Sequence, residues 1–408
     1  LTDAGLKILD VISSIDPRDG GPSAGVVSSA LIAAQLGHQR DVVCLDPPDA
    51  AWIAAARTKV FALGRASQGP GRWRARLPGA RYGYTPRLAP WLKAHAQNYD
   101  AVVVNGLWNY ASLGSWRAMR GSPTPYFLYT HGMLDPWFNR AYPIKTVFKT
   151  AFWKLFEHRV LRDARGVMFT CEEERRLASR SFAPYSAREF VVGYGAPDPE
   201  GDPAPRRAAL LQKLPGLAAR KFVLYLSRIH EKKGVDLLLR GFASVQAVHP
   251  DLDLVVAGPG EPGLIAQLQK LAADLGVADR VHWPGMLSGE AKWGAFGSAE
   301  CFVLPSHQEN FGVVVAEALA MAKPLLITNK VNIWREIEID RAGIVVDDDE
   351  AAVTDGLRRL LALSPQERLE MGGRARNCFR ARYDIVGNAK SFLALVASLL
   401  PGRQDRRE

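Results

Sequence analysis

Glu309 and Glu317 stand eight positions apart in the run Glu309-Asn310-Phe311-Gly312-Val313-Val314-Val315-Ala316-Glu317, shortly after an apolar stretch, Cys301-Phe302-Val303-Leu304. The pattern predicts a strand turning into a helix, with Glu309 in the loop and Glu317 inside the helix. A helix start carries unpaired N–H groups and the positive end of the dipole, so it attracts anions. Asn310 and Gly312 are expected to leave N–H groups available there. Carboxylates on both sides add acceptors for vicinal hydroxyls. A ligand with a diphosphate and sugars, a sugar nucleotide, matches both. The segment Ser227-Arg228-Ile229-His230-Glu231-Lys232-Lys233-Gly234 supplies cations. Arg228 can fork onto phosphate oxygens and Lys233 can add a point charge, while Lys232 reads as a solvated neighbour. Fixed cations act most strongly where a leaving group gains charge. The bland alternatives are a solvated strand end for Arg228 and Lys233, and a salt-bridged helix face for Glu317.

These groups need a scaffold that gathers loops. Short β-branched runs alternate with amphipathic stretches, which implies parallel strands with crossover helices. Strands are expected over residues 7–11, 41–45, 101–104, 126–130, 167–170 and 190–192, and again over 222–226, 252–257, 281–283, 301–304, 325–328 and 344–346. The reading is α/β, with two Rossmann-like doubly wound domains facing an interdomain cleft. The Gly/Pro-rich run 195–205 is the expected linker. Domain bounds are 1–196 on the acceptor side, 197–385 for the nucleotide-sugar donor, and 386–408 for a last helix and tail. Ligands of such sheets bind beyond the carboxyl ends of strands, and each motif falls at such an end. A chain of 408 residues with 48% hydrophobic content can fill two cores. No spanning helix or signal peptide is expected.

Gly20-Gly21-Pro22 follows the first strand and lacks the G-x-G-x-x-G order. Without Cβ atoms, Gly20 and Gly21 let backbone approach phosphate and sugar, with a helix from Ser23 onward aimed at them. His131-Gly132 follows the strand at 126–130; a lone histidine there is as often a satisfied core or capping residue. Asp16 and Asp135 could orient an acceptor, and each sits beside a proline where it could equally cap a turn. Gly285, Met286 and Leu287 are expected to shape the pocket for base and sugar. The run Asp347-Asp348-Asp349-Glu350 reads as the acidic start of a helix and not as a metal motif. Cys44, Cys171, Cys301 and Cys378 have no paired spacing and read as small buried hydrophobes.

Gly20-Gly21-Pro22, His131-Gly132, Arg228 with Lys233-Gly234, and the Glu309/Glu317 pair, in that order, resemble the retaining glycosyltransferases of family four, which have the GT-B fold. The resemblance implies a hexosyl transfer from a nucleoside diphosphate sugar, with no cofactor and no metal. It implies that Glu317 holds the ribose and that Glu309 with the backbone of Asn310, Phe311 and Gly312 holds donor-sugar hydroxyls and phosphate. His131 would help position the donor sugar, and no protein base is needed. It also implies that the last helix crosses back to the N-terminal domain. Gly-Gly-Pro-Ser and His-Gly-Met-Leu-Asp-Pro look like bacterial exopolysaccharide or O-antigen transferases, which points to a glycan or polyprenyl-linked oligosaccharide acceptor. The sequence departs from the family at Val192-Gly193-Tyr194-Gly195, where many members carry Pro-Asn-Gly. The alternatives are a non-hydrolysing nucleotide-sugar epimerase of similar fold and a two-domain sugar-binding protein without chemistry.

The formal net charge is +10 and the isoelectric point about 9.5. Arg57, Lys59, Arg65, Arg72, Arg74, Arg76, Arg81, Arg87 and Lys93 form a span without acidic residues. A second segment, residues 142–165, interleaves Lys145, Lys149 and Lys154 with Phe148, Phe152, Trp153 and Phe156. Basic and aromatic together suit an anionic membrane surface at the cytoplasmic face, against which stands an amphipathic helix with a packed apolar stripe. No nucleic-acid motif is present.

Overall fold

The computed structural model describes residues 5–66 and 82–401. The chain forms two compact units, Leu1–Gly193 with Val386–Glu408, and Tyr194–Ile385. Arg72, Arg74, Arg76 and Arg81 lie outside the described residues.

The first unit holds β1 (Lys7–Ile12), β2 (Gln39–Cys44), β3 (Val60–Ala62), β4 (Ala101–Asn105), β5 (Tyr126–Tyr129), β6 (Gly166–Phe169) and β7 (Glu189–Val191). They form one sheet in the order β3-β2-β1-β4-β5-β6-β7, every pairing parallel. β1, β4, β5 and β6 are apolar runs because both faces are covered. The three-residue β3 was not anticipated: it is a half-buried edge strand, too short to show a period. The first helix begins at Gly21, ahead of the expected Ser23. On one face of the sheet, Ile8, Val103, Phe127 and Met168 pack with Phe392, Leu393 and Val396 of the Ile385–Leu399 helix.

The second unit holds β8 (Lys221–Leu226), β9 (Leu252–Ala257), β10 (Val281–Gly285), β11 (Cys301–Leu304), β12 (Leu325–Thr328) and β13 (Ile344–Val346), in the order β10-β9-β8-β11-β12-β13 and again all parallel. The expected linker is shorter than its composition suggested. Pro203 starts a helix, Pro203–Lys213, because proline suits a first helical turn and Asp202 caps it by accepting from the Ala204 N–H at 2.9 Å.

Strand order reverses between β1 and β4 in the first sheet and between β8 and β11 in the second. Loops leaving the two strands at such a point diverge and leave a crevice at the carboxyl ends.

Candidate active site

In the second unit, the loops after β8 and β11 meet at the reversal point. Glu231–Lys233 is a single 3-10 turn, capped by His230 Nδ1 accepting from the Lys232 N–H at 3.3 Å. Gly234 closes the turn at φ 64°, and a Cβ there would run into the Pro305 carbonyl, so only glycine lets the two loops come this close. The His307 N–H donates to the Lys232 carbonyl at 2.8 Å. Lys232 is therefore not merely solvated: its Nζ donates to Gln308 Oε1 at 3.2 Å.

Lys233 is buried and forms an ion pair with Glu309. Glu309 is itself fixed: its N–H donates to the Lys330 carbonyl at 3.0 Å and its carbonyl accepts from the Asn332 N–H at 3.0 Å. Burial works to raise the Glu309 carboxyl, but Lys233, Lys232 and the Asn310 N–H outweigh it and hold the group below its ordinary range. The Asn310 N–H expected to face a ligand instead donates to Glu309 Oε1 at 3.1 Å, a correction that follows from the carboxylate lying beside its own loop. Gly312 is the left-handed N-cap of the Val313–Ala320 helix, at φ 72°. The Phe311 side chain is buried edge-on against Tyr194 and Tyr383, at 5.5 and 5.6 Å between centroids. Only the backbone of Phe311 is left to meet a ligand. Arg228 is exposed, and its guanidinium has no hydrogen-bond or ion-pair partner among the described residues.

Glu317 lies in that helix, buried, and pairs with Lys292 Nζ at 2.7 Å. Burial raises its carboxyl above the ordinary value, only partly offset by Lys292. Lys292 carries no motif signal and was not expected here. Gly285 ends β10 at φ 69°, Met286 is 65% exposed and Leu287 turns into the core. The acidic run 347–350 is engaged locally. Asp349 caps the Glu350–Ala362 helix by accepting from the Ala352 N–H at 2.9 Å, and Asp348 bonds His307 at 2.9 Å.

In the first unit, Gly20 stands at φ 99°, where side chains are strained, and Gly21 is the first residue of the Gly21–Gln35 helix. Both acceptor candidates are held locally. Asp16 accepts from the Arg18 N–H at 2.9 Å and pairs with the Arg18 guanidinium, and Asp135 accepts from the Trp137 N–H at 2.8 Å. Each serves a turn made by its neighbouring proline, so neither carboxylate is presented as an open acceptor hook.

His131, at φ 48°, stacks on Tyr129 at 5.3 Å, and its Nε2 lies 3.0 Å from Asn105 Oδ1. The Asn105 amide donates from Nδ2 to Asp10 Oδ1 at 3.2 Å and to the Val103 carbonyl at 3.3 Å. That orientation turns Oδ1 toward His131 and makes Nε2–H the donor. Asp10 in turn takes both arms of Arg40 at 2.7 and 2.8 Å, and Arg40 lies over the Phe392 ring at 4.6 Å. Burial lowers the His131 pKa to about 4, against the pull of Glu174 and Asp10, so the ring is neutral near pH 7. Glu174 fixes the same loop: it accepts from the Gly132 N–H at 2.5 Å, from Thr130 Oγ1 at 2.6 Å, and from Thr170 N–H and Oγ1 at 2.7 and 2.6 Å. Asp10 went unnoticed in the sequence, although an acid inside the otherwise apolar run 8–12 could have signalled it. Glu174, in a charged helix start, gave no comparable sign.

Two family models match. Residues 20–195 fit the glycosyl transferase 4-like domain and residues 210–377 the glycosyl transferases group 1. An alpha-D-kanosaminyltransferase of Streptomyces kanamyceticus is 30% identical over 235 residues, 57% of this chain; the alignment spans 60% of that relative's own length. A glycosyltransferase of Rickettsia africae has a TM-score of 0.74 at 15% identity, covering 98% of this chain and 99% of that one. The Anabaena protein HepE, solved with UDP and glucose, has a TM-score of 0.71 at 17% identity, covering 96% of this chain and 100% of its own. The chain belongs to the group 1 glycosyltransferases, with a 4-like first half, and has the two-unit GT-B fold.

Proposed function

We propose that the protein is a retaining transferase that moves a hexosyl group from a nucleoside diphosphate sugar to a glycan acceptor, lipid-linked, in the synthesis of a bacterial surface polysaccharide. The observation that carries the reading is the Lys233–Glu309 ion pair at the reversal point of the second sheet, with Arg228 exposed in the same loop after β8. Lys233 and Lys232 hold the Glu309 carboxylate in its charged form. HepE, a fold relative, was solved with UDP and glucose, which supports a nucleotide-sugar donor.

In the reaction the anomeric C–O bond to the diphosphate breaks and a C–O bond to the acceptor forms. The acceptor hydroxyl's proton passes to the leaving phosphate oxygen on the same face, so no protein base is consumed. Arg228 and Lys233 stabilise the charge that grows on that leaving group, and with these cations in place no metal is required. Glu309 accepts from donor-sugar hydroxyls and Glu317 from the ribose, where Lys292 now sits. The neutral His131, donating from Nε2 to Asn105, acts as a positioning group and not as a base.

The reading is tested by incubating the protein with UDP- and GDP-hexoses while withholding acceptor. Slow release of free hexose from one donor supports transfer. Conversion of the donor to its epimer, or binding without turnover, contradicts it.

A further inference from the structure

No residue of the Pro143–Phe152 helix is fully buried; the packed stripe expected for the segment is supplied by Phe152, Trp153 and Phe156, at the helix end and beyond it. The outward face of the helix is apolar. Ile144, Val147 and Phe148 are 77%, 69% and 73% exposed, and Leu155, in the π-helical turn that continues the helix, is 57% exposed. Ala151 between them is exposed as well. At roughly 100° per residue these five positions fall within one stripe about 100° wide. The opposite side is apolar too, because Phe152, Trp153 and Phe156 pack into the core of the first unit. A surface helix ordinarily turns its polar face to water; this one turns an apolar stripe there as well.

Charge indicates the partner. Between Asp135 and Glu157 the chain carries Arg140, Lys145, Lys149 and Lys154 and no acidic residue. Lys149 is turned inward onto the Trp108 ring at 4.6 Å, but Lys145 and Lys154 are exposed and flank the stripe. Two copies meeting through this face would set the same basic rim against itself. Five side chains also fall short of the roughly 800 Å² per partner that a stable protein pair buries.

We propose that this helix docks the protein on an anionic lipid bilayer, lying flat with Ile144, Val147, Phe148 and Leu155 in the acyl boundary and Lys145 and Lys154 at the lipid phosphates. The proposal deepens the reading above, resting on its lipid-linked acceptor for purpose, and it adds a salt-resistant apolar component to the basic attraction.

The test is co-sedimentation of the full chain with phosphatidylcholine vesicles, with and without about one-third phosphatidylglycerol, at ~0.1 M and ~1 M salt. Binding to the anionic vesicles is expected to fall with salt but to persist in part. The Ile144→Ser/Phe148→Ser variant is expected to bind at least ~10-fold less at both salt concentrations, whereas Lys145→Glu/Lys154→Glu weakens binding chiefly at low salt. A polarity-sensitive label on Val147→Cys, feasible because the four native cysteines are buried, should report a drier environment on vesicles. Unchanged binding by the serine variant, no binding by the wild type, or a dimer that the serine substitutions dissociate would each overturn the proposal. Donor hydrolysis is expected to survive in the serine variant. Its absence from the wild type would strike the transferase reading and leave docking standing.

Discussion

Lys233 and Glu309 form an ion pair across the point where the second sheet reverses its strand order, joining the turn after β8 to the loop after β11. On the proposed function, a donor phosphate would share the Lys233 ammonium with Glu309 and so loosen the carboxylate's hold on it, freeing an oxygen for a sugar hydroxyl.

Removing one partner should separate these roles. Lys233→Ala leaves the Glu309 carboxylate largely buried without its cation, a loss of about 3 kcal/mol for a pair that keeps some solvent contact. Denaturant unfolding should show it, and Lys233→Ala/Glu309→Gln should recover part of the stability while remaining inactive. An unchanged midpoint in Lys233→Ala would mean the pair carries no stability.

Arg228 differs because its guanidinium is exposed and unpaired among the described residues. Arg228→Ala should alter stability by less than about 0.5 kcal/mol yet lower turnover by roughly 10²–10³, as expected on deleting one preorganised charge stabiliser. Wild-type turnover at saturating donor would remove Arg228 from the leaving-group site.

For His131 the prediction concerns protonation. With its pKa lowered to about 4, its ring resonances, assigned by comparison with His131→Asn, should not titrate between pH 5.5 and 8. Because the unfolded histidine takes up its proton near pH 6.5, this group's contribution to stability is complete above that pH and drains away as pH falls toward 4. Titration near pH 6.5 in the folded protein would contradict the neutral ring.

Much of this was legible in sequence. Strands such as Tyr126–Tyr129 and Cys301–Leu304 are buried on both faces, so unbroken apolar runs bounded by turn residues mark them. The Glu309/Glu317 spacing carried over because a strand-to-helix turn fixes where both fall. The partners of those residues did not show. Lys292 reaches Glu317 from 25 positions away, and Asn105 reaches His131 from 26; such pairings arise from strand order, which local pattern does not encode. The outward stripe of Ile144, Val147 and Phe148 was hidden for a related reason, since an apolar pattern does not say which of a helix's apolar faces is packed.

Glu174 offers a check on the positioning of the His131 loop. Its carboxylate accepts from two backbone N–H groups and two threonine hydroxyls, and Glu174→Gln places an NH₂ against donors. The expected cost is about 2–3 kcal/mol, with kcat reduced and the donor KM little changed. A selective rise in KM would instead assign the loop to donor binding.

The central claim is retaining transfer from a nucleoside diphosphate sugar without metal. Proton NMR of the first turnover in the presence of chelator, using whichever α-linked UDP- or GDP-hexose the protein hydrolyses, tests it most directly. The account predicts that the α-anomer appears first and that the rate is unaffected by chelator. First appearance of the β-anomer, or activity lost in chelator and restored by a divalent ion, would contradict it.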